Sequence, residues 1–208
     1  MAGSSKPKSA GRRRNRPSPR QRLLDSATNL FTTEGIRVIG IDRVLREADV
    51  AKASLYSLFG SKDALVIAYL EELDRKWRED WQERTRELTD PGEKLLAFFD
   101  QCLAEEPAKD FRGSYFQNAA VEYPRPETET EHGIIAAVMA HRRWCHQTMT
   151  ELLTARNGYP SSTQADQLLL FLDGGLAGAR LIKSTAPLET AKDLARQLLS
   201  APPPDYSI

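Results

Sequence analysis

The sequence predicts an all-α fold of about nine helices. A small N-terminal unit contains a helix-turn-helix, and a larger helical unit follows it. Three observations predict this. Apolar residues recur at helical spacing in almost every segment after residue 18. Helix-start and helix-stop signals separate the segments: Ser18-Pro19, Gly35, Asp90-Pro91-Gly92 and Asn157-Gly158. No run alternates as a half-buried strand would, and no repeat is visible. The chain has 208 residues, 40% hydrophobic and 28% charged, enough for a sizeable core and an ordinary polar surface.

Residues 1–17 are Ser, Gly, Pro, Lys and Arg, with nothing to bury, and read as a disordered basic arm. Ser18 caps the first helix and Pro19 suits its first position. Leu23, Leu24, Ala27, Leu30 and Phe31 form its buried stripe, and Gly35 ends it. Ile36, Val38 and Ile39 make an apolar connector. Ile41, Val44, Leu45 and Ala48 give the next segment one apolar face, and Leu55, Leu58 and Phe59 do so for the one after. Asp49 sits between the two, where a turn needs a residue that tolerates left-handed backbone. Two short helices with a tight turn and a shared apolar wedge are the pattern of a helix-turn-helix.

Lys62 to about Leu88 reads as one long helix, with Leu65, Ala68, Tyr69, Leu73, Trp77 and Trp81 along its stripe. The next runs from Pro91 to just before Pro107. A short apolar helix is expected over Phe111–Glu122, ended by Pro124 and Pro126. Thr128–Arg156 is long again and capped by Asn157-Gly158. Ser161–Lys183 and Pro187–Ser200 complete the set. The predicted division is 1–17 arm, 18–62 helix-turn-helix unit, 63–201 second unit and 202–208 tail.

The net charge is zero, yet its distribution is uneven. Residues 1–62 carry 13 Lys and Arg against 5 Asp and Glu; residues 63–208 carry 16 against 24. A polyanion partner for the front and another task for the back is the simplest reading. Six of the basic residues lie in 1–17, so much of that signal belongs to the arm, either a phosphate-binding extension or a solvated tail. Two cysteines without metal-type spacing fit a reducing cytoplasm. No apolar run reaches the length of a membrane span, and no secretory signal is expected.

The run from Arg20 to Leu65 resembles the DNA-binding motif of the TetR (tetracycline-repressor) family of bacterial transcription regulators. The resemblance rests on LFTTEGIR, on ID-V-READV and on ASLYSLFGSKDAL, whose L-Y-x-x-F-x-S-K-D-A-L ending is specific. FRGSYFQNAAVEYP and LDGGLAGARL match that family's second domain more loosely. The resemblance implies a nucleoid-associated homodimer on a palindromic double-stranded DNA operator, most often a repressor released by a small-molecule effector. It places Lys52, Ala53, Ser54, Tyr56 and Ser57 on the recognition helix. Tyr56 and Lys62 would hold phosphates, with Leu55 and Phe59 in the core.

The chain departs from the family pattern at five positions. Gly40 and Ala51 replace capping hydroxyls, Asp49 and Ala53 replace glycines, and Gly60 replaces a proline. Missing caps cost about 0.5–2 kcal/mol each, so a less rigid reading head is expected in the free protein. Lys52 suits guanine O6 or N7 or a phosphate, and Ala53 a thymine methyl; Ser54 and Ser57 are ambiguous readers. None gives bidentate readout, so the helix names no operator, and part of the specificity is expected from DNA shape. Arg37 and Arg43 flank the motif within reach of phosphate or base edges, phosphate or solvent being favoured over base readout.

For the second unit the resemblance implies a buried effector. The candidates to line its site are Trp77, Trp81, Phe98, Phe99, Cys102, Tyr115, Phe116, Asn118, Tyr123, Met139, Trp144 and Phe171. This mixture suits an apolar or aromatic ligand; ordinary core is the alternative for each residue. His141 and Cys145 are four apart and His146 follows, but no further cluster completes a metal site, so neither metal nor cofactor is expected. No paired nucleophile, base and oxyanion donor suggests an enzyme. Cys102 and Cys145 are either inert buried thiols or redox sensors. Small residues at close spacing, Gly174, Gly175, Gly178 and Ala179, fall among Leu168 and Leu172. With Leu188, Ala191, Leu194, Ala195 and Leu198 they suggest a four-helix dimer interface or close packing within one subunit, and the resemblance favours the dimer. A sequence-tolerant architectural DNA binder driven by the arm is the alternative function.

Overall fold

A computed structural model describes residues 16–200. The arm expected over 1–17, apart from Arg16 and Pro17, lies outside the described residues, as does the 202–208 tail. The described residues form nine α-helices and a single 3-10 turn, with no strand among them. They are α1 (Pro19–Glu34), α2 (Ile41–Ala48), α3 (Lys52–Leu58), α4 (Lys62–Thr85), α5 (Pro91–Glu105), α6 (Tyr115–Glu122), α7 (Glu129–Asn157), α8 (Ser162–Ile182) and α9 (Ala186–Ser200).

Most boundaries follow local chemistry. Ser18, Ser61, Asp90, Ser114, Thr128 and Ser161 each accept a backbone N–H of their helix's first turn. Thr128 and Glu131 form a reciprocal capping box. Asp49 ends α2 in the left-handed region at φ 51°, and Gly158 ends α7 at φ 81°. Gly40 and Ala51 offer no side-chain cap.

Three expectations need correction. The long helix ends at Thr85, short of Leu88. Val38 is not part of the apolar connector's buried side: it is 72% exposed, while Ile36 and Ile39 are buried. The short apolar helix begins at Tyr115 rather than Phe111. Asp110, Phe111 and Gly113 all have positive φ, which no α-helix accommodates, so the chain loops before Ser114 caps α6.

Two apolar clusters build the interior. The first joins α1–α3 to Leu65, Val66, Tyr69 and Leu70 of α4, Phe116 and Ala119 of α6 with Tyr123 just beyond it, and Ile134 and Val138 of α7. The second joins Trp81, α5, the later half of α7, α8 and α9. Thus α4 and α7 run through both clusters, and the packing under the helix-turn-helix does not stop at residue 62. Among the described residues no helix is long and apolar enough to cross a membrane.

Candidate functional site

The reading head is built on Leu55, fully buried in the first apolar cluster where α3 packs on α1 and α2. Burying Leu55 turns Lys52, Ala53, Tyr56 and Ser57 outward, with Ser54 half-buried. Lys52 is exposed, 3.5 Å from Asp42. Arg22 braces the turn from behind, donating to the Ala48 and Asp49 carbonyls at 2.8 and 2.7 Å.

The three flanking cations are all engaged. Arg43 makes two bonds to the Glu34 carboxylate, at 2.6 and 2.5 Å. Arg37 lies over the Tyr123 ring at 4.6 Å and pairs with Glu131 at 3.2 Å, on the side of the second unit. Lys62 donates to the Ile36 carbonyl at 2.8 Å, and burial pulls its ammonium below its ordinary pKa. Sequence spacing places these cations beside the motif but says nothing of these partners.

A clamp joins the head to α6. The Glu122 carboxylate accepts the Ile36 N–H at 3.0 Å and the Arg37 N–H at 2.6 Å. Tyr123 donates to Asp63 on α4 at 3.3 Å. Arg112 donates to the Thr32 carbonyl at 3.1 Å. The end of α6 therefore grips both the α1–α2 connector and the start of α4. Glu122 was not among the sequence candidates; its spacing from Ile36 carries no local signal.

The other end of α6 lines a cavity of about 330 Å³, with Tyr115, Phe116, Gln117 and Ala120 on its wall. Trp77, Cys102 and Met139, also expected there, line it too. Trp81, Phe98 and Trp144 do not; with Trp77 they form an aromatic cluster of edge-to-face and tilted pairs, Phe98 and Trp144 contacting both Trp77 and Trp81. Phe99 is fully buried in the second cluster, and Phe171 packs at its edge. Asn118 bonds the Arg112 carbonyl and Arg180, and Tyr123 belongs to the head's cluster. The wall also includes residues outside the expected set: Gln117 and Ala120 with Glu106, Lys109, Val138, His141, Arg142, Cys145, Asp173 and Leu176.

The polar wall is largely paired. Asp173 accepts from Gln117 at 2.7 Å and from Arg142 at 2.6 Å. His141 stacks on Phe116 at 3.8 Å between ring centres. Its Nδ1 is 2.7 Å from Asp74 and its Nε2 is 3.6 Å from the Cys145 sulfur. A carboxylate only accepts, so Nδ1 carries the proton and Nε2 faces the thiol. Burial pushes the Asp74 carboxyl up, but hydrogen bonds from His141 and Arg78 outweigh it and hold the group below its ordinary value. Burial also pushes the Cys145 thiol up, and the Cys102 thiol to about 12, which keeps both protonated at neutral pH. Both cysteines are free. His146 faces Asp166 at 3.3 Å, away from that chain.

The small residues of α8 serve first to seat α9 in the same subunit. A Cβ on Gly175 would come within 2.9 Å of the Ala191 Cβ and 3.2 Å of the Leu188 Cα; one on Gly178 would meet the Pro187 Cβ at 2.7 Å. Leu168, Leu172, Ala179, Leu188, Ala191 and Ala195 are buried there, and Leu198 packs beside them. Gly174 and Leu194 face outward. With them stands an exposed stripe on α8 that spacing did not separate from the buried face: Leu170 (66% exposed), Ala177 and Leu181 (83% exposed).

Comparison with known proteins places this geometry. Residues 23–69 match the family described as bacterial regulatory proteins, tetR family. Over 82 residues the chain is 32% identical to an uncharacterized HTH-type transcriptional regulator of Mycobacterium tuberculosis; the match covers 39% of this chain and 41% of that protein. The crystal structure of SCO4454, a TetR-family transcriptional regulator from Streptomyces coelicolor, is 32% identical, with a TM-score of 0.74. That match covers 87% of this chain and 94% of the other. The reduced form of Escherichia coli NemR shares the fold at a TM-score of 0.76 and 21% identity, covering 89% of this chain and 99% of that one.

Proposed function

Because the chain belongs to the TetR family of transcriptional regulators, we propose that it is a homodimeric repressor released from a palindromic operator by a small amphipathic effector. In this reading residues 18–62 bind DNA, and residues 63–201 bind the effector and dimerise. Helix α3 enters the major groove, with Lys52, Ala53, Ser54, Tyr56 and Ser57 toward the DNA; Arg37, Arg43 and Lys62 reach phosphates only by leaving their present partners. The exposed stripe of Leu170, Gly174, Ala177 and Leu181, with Leu194 on α9, supports a partner copy on that face.

The observation that carries the effector part is the double role of α6. Tyr115, Phe116, Gln117 and Ala120 form cavity wall, and Glu122 holds the head's connector by two N–H bonds. A ligand that moves α6 shifts the α1–α2 connector and the start of α4 together. The head then has two positions, only one matched to the operator spacing. The wall is apolar and aromatic with several charged groups, which suits an amphipathic molecule better than a purely apolar one.

The test is an operator recovered by genome-wide binding selection, then titrated with ligands that bind the cavity. Wild-type protein should lose operator affinity on ligand binding. Glu122→Ala should still bind the ligand but respond less, since its connector is no longer held. A cavity ligand that binds tightly and leaves operator affinity unchanged overturns the reading.

A further inference from the structure

Among the described residues that line the cavity, one fully buried side-chain oxygen has no hydrogen-bond partner. Glu106 is fully buried. Its Oε2 accepts the Gly113 N–H at 2.9 Å, which fixes the side chain beneath the 110–113 loop. Its Oε1 accepts from no donor among the described residues. Lys109 is nearby, but its ammonium stays 3.8 Å from Oε1 and is hydrogen-bonded to Glu105 instead. The other ionisable side chains of the wall already have partners: Arg142 with Asp173, His141 with Asp74. Glu106 thus brings to the cavity lining, beside Trp77, Phe116 and Leu176, a carboxylate oxygen that is closed to solvent and has no hydrogen-bond donor.

A buried carboxylate oxygen without a donor is costly, and native structures rarely leave one so. We infer that Glu106 Oε1 is the specificity point of the cavity, and that the effector is an aromatic molecule carrying an N–H or O–H donor directed at it. The inference rests on the reading of this cavity as the effector site and adds the ligand's chemistry. Shape complementarity to apolar walls tolerates many ring systems. A lone acceptor that must be satisfied discriminates sharply against analogues lacking the donor.

Three probes of similar shape test this on the full-length protein: naphthylmethylamine, naphthylmethanol and ethylnaphthalene. Binding is read by calorimetry and by the fluorescence of Trp77 and its neighbours. The amine and the alcohol should each bind at least about tenfold more tightly than the ethyl compound, a factor within the reach of one charge-assisted hydrogen bond. In Glu106→Gln the amide carbonyl still accepts the Gly113 N–H, and the amide NH2 then faces the cavity, so the preference for donors should vanish. Should that variant fold poorly, the wild-type series decides alone. Equal affinity for all three probes overturns the donor assignment and leaves the cavity as a ligand site. No binding by any probe overturns the cavity reading and this assignment with it. Donor-selective binding without an effect on the operator supports the assignment and counts against the proposed release mechanism.

Discussion

Single residues decide how firmly the head is held. Asp49 turns the chain between α2 and α3 in a left-handed conformation, and it ion-pairs with Arg16. A side chain without a local polar group costs about 1–2 kcal/mol there. Asp49→Ala should therefore lower stability by about 1 kcal/mol in urea unfolding, while Asp49→Gly stays within roughly half of that. Ala51 offers α3 no cap, and Ala51→Ser should add about 1 kcal/mol. Asp74 gives a pH signature. Its carboxyl sits below the ordinary value when folded, so its contribution is complete above that value and is lost as the pH falls through the lowered one. Asp74→Asn should melt earlier than wild type at neutral pH, and the gap should close below about pH 4. The turn at Asp49 was legible in the sequence because its cause is local. The engagement of Lys62 was not, because its acceptor, Ile36, lies 26 positions away and is brought near only when α1 packs on α4.

At the scale of elements, α6 and the α8–α9 pair matter most. Helical spacing located both, yet missed a detail in each. Phe111 is apolar and falls in phase with α6, but its left-handed backbone ends the pattern before the helix starts. The small residues of α8 announce a close approach without saying to what. Gly175 and Gly178 are spent on α9 of the same subunit, and the outward stripe has larger members, Leu170 and Leu181. Gly175→Ala should cost about 1–3 kcal/mol, measurable as an earlier thermal transition, because its Cβ meets backbone as well as side chains. Leu181→Arg should leave the subunit folded, with an unchanged circular dichroism spectrum, and shift sedimentation toward the monomer. An unshifted dimer in that variant would place the interface elsewhere. The cavity was only partly readable for the same reason. Aromatic residues such as Phe98 and Trp144 share composition with the wall but pack in the second cluster outside it, whereas Glu106 and Asp173 look like surface carboxylates until the fold buries the first and sets the second, half-buried, at the cavity wall.

For the whole molecule, DNA affinity and ligand response separate by position. Tyr56→Ala should weaken operator binding by about tenfold across all sequences, and Lys52→Ala should also change sequence preference, both read by fluorescence anisotropy at fixed salt. Cys102→Ser and Cys145→Ser should keep the ligand response, since burial holds both thiols protonated. A response lost in either variant, with ligand affinity intact, would move the signal to a thiol. The shared use of α4 and α7 by both apolar clusters bears on modularity. Exchanging residues 18–62 between two such regulators would set Leu65, Tyr69, Phe116, Ala119 and Ile134 against a surface they were not shaped for. Glu122 would meet a foreign connector. The transplantable cassette is discontinuous along the chain: the first helices, the opening turns of α4, all of α6 and the leading half of α7 have to travel together.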